Sequence, residues 1–167
     1  FAATSGRFFF TPILRRALLM AKSSLNQSTS LLILQHSAGH VLLKMESMRP
    51  AGSIKARGVE NLIDSAVSVR GLTTYSTGNH AVAVAVAAAR LGIPCQVFCP
   101  PTLTAYKRRI LEAYGAQLRP HYPDSQEVLR QAQTAAQALG WLFVPLADNE
   151  LLLAGYAGVI DELVQAV

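Results

Sequence analysis

The sequence predicts an α/β fold in three layers, a parallel sheet flanked by helices on both faces. Three observations carry this expectation. Across residues 72–144, short apolar runs of strand length alternate with longer segments of helical period. Glycines stand where segments should stop, at Gly71, Gly92, Gly115 and Gly140. A hydrophobic share of 51% beside 15% charged residues supplies a core and excludes disorder. Crossovers long enough for helices join strands in parallel, and such a sheet is covered on both sides.

Residues 1–10 are apolar and aromatic without a period. Thr11 then reads as a cap and Pro12 as the first residue of a helix reaching Lys22, with Ile13, Leu14, Ala17, Leu18 and Ala21 at helical spacing. Residues 23–30 form a polar loop. The run at 31–34 predicts a strand, the Gly39 region a turn, and residues 41–45 a second, buried strand. His36 and His40 sit four apart, but Gly39 speaks against the helix that would make them a metal pair, and no metal is expected.

Ser53 is placed to cap the next helix, whose Val59, Leu62, Ile63 and Ala66 form its apolar stripe. A four-residue strand follows at 72–75. Residues 80–91 alternate Ala and Val with a strand's period of two. Their length, the polar start at Asn79, Arg90 in the last turn and the Gly92-Ile93-Pro94 stop decide for a buried helix. The strand at 96–99 is closed by Pro100-Pro101. Thr104 caps a helix with Ile110, Leu111 and Tyr114 inward, and 117–121 is a weak strand put at an edge by Pro120. Asp124 to Glu127 has capping-box form before a helix with Val128, Ala132, Ala135, Ala136 and Leu139 on one face. A strand at 141–144, a short helical turn at 149–153, a break at 155–158 and a last helix with Val159, Ile160, Leu163 and Val164 complete the chain.

Net charge is +5, yet the basic residues are scattered, with Arg15-Arg16 and Lys107-Arg108-Arg109 the clusters. They read as solvated helix faces, and nucleic acid is not an expected partner. No apolar run approaches the ~18 residues of a membrane span. Cys95 and Cys99 on one strand would share a face roughly 13 Å apart, too far for a disulfide. Reduced thiols suit a reducing compartment, and the expected location is cytoplasmic. Residues 1–45 carry no Asp or Glu, a composition shared with mitochondrial transit peptides, which keeps a mitochondrial location as the alternative. The chain begins at Phe1 and reads as a piece of something longer.

Two phrases carry the chemistry. Ser53-Ile54-Lys55-Ala56-Arg57-Gly58 puts an amine at a helix start, where backbone N–H groups lack partners and the dipole is positive. That field disfavours the ammonium and makes Lys55 the candidate nucleophile. Ser76-Thr77-Gly78-Asn79-His80 leaves a strand for a helix start, a place that offers N–H donors to an anion beyond the carboxyl ends of the strands. Alone, Lys55 would be a surface lysine, Asn79 a cap and His80 a structural histidine. Together the phrases say more.

The lysine phrase resembles the Ser-Phe-Lys-x-Arg-Gly of the fold-type II pyridoxal-phosphate enzymes related to the tryptophan synthase β chain, with Ile54 for Phe. Ser76-Thr77-Gly78-Asn79-His80-Ala81 is similar to the Ser-(Ser/Ala)-Gly-Asn-His-(Ala/Gly) of their threonine dehydratase and serine racemase group. Thr11-Pro12-Ile13, Leu43-Lys44-Met45-Glu46, Pro100-Pro101, Lys107, Gly115-Ala116 and Val144-Pro145 echo the family in order.

The resemblance implies pyridoxal 5'-phosphate as cofactor and serine or threonine as the amino-acid substrate of a lyase or racemase. Lys55 would hold the cofactor covalently and take the Cα proton. Asn79 would bond the pyridoxal 3′-oxygen. Ser76, Thr77, Gly78, Asn79 and His80 would hold the substrate carboxylate. Thr77, where racemases of the group place a serine, would be the second acid/base, so elimination and racemisation both stay open. A cysteine-synthase-like replacement enzyme is the alternative within the family, against which His80 speaks; a non-catalytic remnant without cofactor is the other.

Family members are about twice as long, so residues 1–70 would be the N-terminal part of a large cofactor domain present only in part, 71–147 a complete small domain, and 148–167 a return helix. The glycine-rich phosphate loop should lie beyond Val167. The family's Gly-Gln-Gly-Thr stands here as Gly155-Tyr156-Ala157-Gly158, and residues 31–34 would be an insertion. A homo-oligomer is implied for the full-length form. Lys107 reads as solvated despite its match, and Arg57 as a tie to carbonyls or an acid.

Overall fold

The computed structural model describes residues 28–120 and 125–166. The helix expected at 11–22 and the cap at Asp124 lie outside them. The first elements form an antiparallel hairpin, β1 (Leu31–His36) and β2 (Gly39–Lys44), paired from Leu31 with Lys44 to His36 with Gly39. The Ala38 N–H donates to His36 Nδ1 at 3.2 Å inside its turn, and Gly39 takes φ +137°, open to glycine alone. The segment 31–34 is thus one arm of a ribbon. Its partner strand is not buried as expected: Val41, Leu42 and Leu43 are exposed by 47, 37 and 40%. An apolar run specifies an extended strand, but burial needs a second layer, and none of the described elements packs over this ribbon.

A 3-10 turn (Glu46–Met48) leads to α1 (Lys55–Asp64), then β3 (Leu72–Tyr75), α2 (Asn79–Leu91), β4 (Cys95–Cys99), α3 (Ala105–Ala113), β5 (Gln117–Pro120), α4 (Ser125–Leu139), β6 (Leu142–Phe143) and α5 (Glu150–Ala166). Four strands form one parallel sheet in the order β5-β4-β3-β6. Period-two alternation divides its side chains between two cores. On one face Leu72, Cys95, Val97 and Cys99 join α1, α2 and Leu111 of α3. On the other Phe98, Tyr75 and Phe143 meet Val128 and Ala132 of α4. The three layers follow directly, with β5 and its Pro120 at an edge. Cys95 and Cys99 share a face, buried and unpaired.

The Ala-Val alternation of 81–86 is helical. Gly92, at φ +67°, receives the chain in the left-handed conformation and donates to Ala89 O while Ile93 donates to Ala88 O, closing α2. Every residue from His80 to Ala88 is buried, which is why the run carries no polar face to reveal its period. Thr104 caps α3 as expected, its Oγ1 accepting from Lys107 N–H; Tyr114 is exposed rather than inward.

Two further expectations are corrected. Ser53 does not cap α1 through its side chain. Ile54 is already helical, and the first bonds run from Ala56 N–H to Ser53 O and from Arg57 N–H to Ile54 O, leaving the Ser53 hydroxyl buried without a partner. Residues 150–166 form one helix with no break at 155–158, capped by Asn149 Oδ1, which accepts from Leu152 N–H at 3.1 Å. Gly155 serves close approach instead of a turn. A Cβ on Gly155 would fall 2.5 Å from the Arg57 carbonyl oxygen and 2.8 Å from Gly58 Cα, so α1 and α5 pack backbone to backbone.

Candidate functional site

The strand order reverses beside β3: the chain proceeds from β3 to β4 and β5 on one side, and β6 returns to the other. In an open parallel sheet this reversal parts the loops and opens a crevice at the carboxyl ends of the strands. Residues 76–80 leave β3 there, and Val144-Pro145 leave β6. Thr74 Oγ1 donates to Val144 O at 2.8 Å and ties the two strand ends together. Ser76 is fixed twice, its N–H donating to Phe98 O at 3.1 Å and its Oγ accepting from Gly78 N–H at 3.1 Å. Thr77 and Asn79 are exposed, Gly78 is half-buried and His80 is buried. A Cβ added to Gly78 would meet nothing within 4 Å, so open space lies beside the turn.

Lys55 is the first residue of α1. It is half-buried, and its ammonium lies over the Tyr156 ring, 4.9 Å from the centroid. Helix α1 packs on α2, which begins at Asn79. The positive charge of Lys55 is felt at His80, which brings the two phrases near one another. Burial above all pushes the His80 imidazole down to about 4; the Val144 backbone opposes this, and the positive charge of Lys55 adds to it. His80 is thus neutral near pH 7.

Two residues of the site were not legible. Lys107, read as solvated, donates from Nζ to Asn79 Oδ1 at 2.6 Å. Its family echo was the available sign, but the contact depends on two helices starting side by side after adjacent strands. Tyr156 stood out only as a departure from the family pattern; its position over Lys55 follows from the unbroken α5, which an interrupted helix would not have given. Arg57 does bind acids. It is buried, bonding Glu46 at 2.8 Å and Glu162 at 2.6 and 2.9 Å. Asn79 does not cap α2, whose first turn is preceded by Gly78.

These residues fit one half of a pyridoxal-phosphate site. Lys55 brings an amine suited to a carbonyl, Asn79 an amide donor suited to a ring oxygen, and the turn at Gly78 the room for a ligand. Among the described residues no group of three or more His, Cys, Asp or Glu is placed to hold a metal.

Fold and site together define a parallel α/β protein with a lysine amine set at the carboxyl edge of its sheet. The chain belongs to the pyridoxal-phosphate-dependent enzyme family, whose model matches residues 23–167. It is 33% identical over 156 residues to the L-serine dehydratase/L-threonine deaminase of Mus musculus, covering 87% of this chain and 46% of that protein. With a serine dehydratase-like protein of Homo sapiens it shares 33% identity, over 74% of this chain and 38% of the other. Among solved structures, the T.th. threonine deaminase superposes with a TM-score of 0.77 at 28% identity, over 90% of this chain and 50% of that one. Maize serine racemase shares the fold, with a TM-score of 0.79 at 24% identity, over 92% and 49%. The chain spans half or less of the length of each.

Proposed function

We propose that the protein carrying this chain is a pyridoxal-phosphate-dependent lyase of hydroxy amino acids, converting serine or threonine to ammonia and a 2-keto acid, with racemisation at the same site open to it. The observation that carries this is the Lys55 charge reaching His80 at the 76–80 turn, where the sheet order reverses. The serine and threonine dehydratases among its relatives support the substrate class.

When bound, the cofactor supplies the electron sink that makes the Cα proton of an amino acid removable. Lys55 would hold it covalently and, once the substrate's amine has taken its place on the cofactor and freed the lysine amine, would take that proton. The Tyr156 ring, its centroid 4.9 Å from that nitrogen, forms one wall beside the lysine. Asn79 would donate to the ring oxygen. The backbone N–H groups of Thr77, Asn79 and His80, at the start of α2, would hold the substrate carboxylate with help from the helix dipole, while those of Ser76 and Gly78 keep the turn in shape. His80 contributes its backbone, its neutral ring lying buried beneath the turn. Thr77, exposed on that turn, brings the hydroxyl that can carry a proton on the opposite face. The buried, unpaired Cys95 and Cys99 support a reducing, cytoplasmic setting, and we assign a homo-oligomer to the full-length form by its resemblance to the family.

The test is keto-acid release from serine and from threonine, with the D and L enantiomers of the remaining substrate resolved. Release that falls by about a thousandfold in Lys55→Ala is expected. Release at the uncatalysed rate in the full-length protein would point to a non-catalytic remnant and overturn the proposal.

A further inference from the structure

We propose that Lys107 is the positioning residue that sets the direction and strength of the Asn79 side chain as a hydrogen-bond donor. The inference rests on the pyridoxal-phosphate reading of the site. Asn79 opens α2 after β3, and Lys107 lies in the first turn of α3 after the neighbouring strand β4. Parallel neighbours deliver the starts of their helices to the same edge of the sheet, so these residues, 28 positions apart, meet across that edge with Nζ and Oδ1 at 2.6 Å.

An ammonium has only hydrogens to give. Its partner on Asn79 must be the carbonyl oxygen, which settles the orientation of an otherwise reversible amide and leaves both Nδ2 protons for a ligand at the turn. Positive charge on Oδ1 also polarises the amide and strengthens those donors towards an anionic oxygen. Lys107 is itself held. Its N–H donates to Thr104 Oγ1 at 3.3 Å, fixing the first turn of α3, and the Tyr106 ring lies 6.0 Å from its ammonium. The lysine is half-buried, as is its neighbour Arg108, while Arg109 is exposed and the bond to Asn79 lies at the surface.

The experiment compares full-length wild type with Lys107→Met, Lys107→Arg and Lys55→Ala. It reads the Asn79 side-chain amide resonances of the 15N-labelled protein without cofactor, and the pyridoxal-phosphate affinity by absorbance titration. Lys107→Met is expected to shift the Asn79 amide and weaken cofactor binding about tenfold, the loss of one charge-assisted hydrogen bond. Lys107→Arg, which still donates, should bind within about threefold of wild type. Cofactor affinity unchanged in Lys107→Met overturns the inference whatever the amide does, and so does an arginine variant as weak as the methionine one. Wild type that binds no cofactor through Lys55 fells the reading of the site and this inference with it, an outcome the Lys55→Ala arm distinguishes from failure of the inference alone.

Discussion

The guanidinium of Arg57 and the carboxylate of Glu162 meet at 2.6 and 2.9 Å, joining the helix that begins at Lys55 to the last helix across 105 residues of sequence. Glu46 accepts from Arg57 Nε and Nη2, Thr29 accepts from Nη2 and donates to Glu46, and Lys44 reaches Glu162, so hairpin, α1 and α5 share one ionic cluster. This cluster sets where α1 starts and hence where its lysine stands.

Its acid dependence has a definite sign. Bonds from Arg57, opposed by burial and helped by Lys44 and Ser28, hold Glu162 well below the ordinary carboxylate value of 4.5. Burial tends to raise Glu46, but the bonds from Arg57 and Thr29 together outweigh it and leave it lowered too. A depressed carboxylate contributes stability that is present above its unfolded value and lost as pH falls through the folded one. Denaturant melts should therefore show stability dropping progressively below about pH 4.5. Glu162→Gln should lose stability at pH 7 and flatten that dependence. Arg57→Met, which strands two acids in a partly buried place, should cost about 3 kcal/mol at pH 7.

His80 gives a second pH window. Its folded value of about 4 lies below the ordinary 6.5, so between the two the unfolded chain takes up a proton that the folded one refuses. Stability should fall as pH drops from 6.5 towards 4, by up to about 3 kcal/mol. In NMR the His80 ring should remain neutral at pH 5.5. An imidazolium there at pH 6 would contradict the burial argument.

Gly155→Ala should be disruptive although alanine favours helices. The added methyl would face the Arg57 carbonyl at 2.5 Å, and backbone cannot swing aside. The two helices must part, at a cost of about 1–3 kcal/mol, measurable as a lowered Tm. Gly78→Ala, whose Cβ meets nothing within 4 Å, should leave Tm close to wild type, so a similar loss in both variants would sink the close-packing account.

What the sequence disclosed and what it hid divide along physical lines. The sheet and its helices were legible because strand alternation, caps and glycine stops are local; α2 was recovered from its ends although its interior alternated like a strand. The break expected at 155–158 failed because glycine serves two purposes, turning the chain or letting two backbones touch, and only the neighbouring α1 reveals which. The exposure of β2 and the idle Ser53 hydroxyl depend likewise on what lies across from them. Lys55, Thr77 and Asn79 stood out through their phrases. Lys107 did not, because its partner is reached across a connection rather than along a helix.

The central claim is that Lys55 is the amine that binds the cofactor. The full-length protein should be incubated with pyridoxal 5'-phosphate, reduced with borohydride, digested and mapped by mass spectrometry. One stoichiometric pyridoxyl adduct is expected, on the peptide containing Lys55, absent from Lys55→Ala. An adduct spread over surface lysines, or one on Lys107 with Lys55 unmodified, would contradict it.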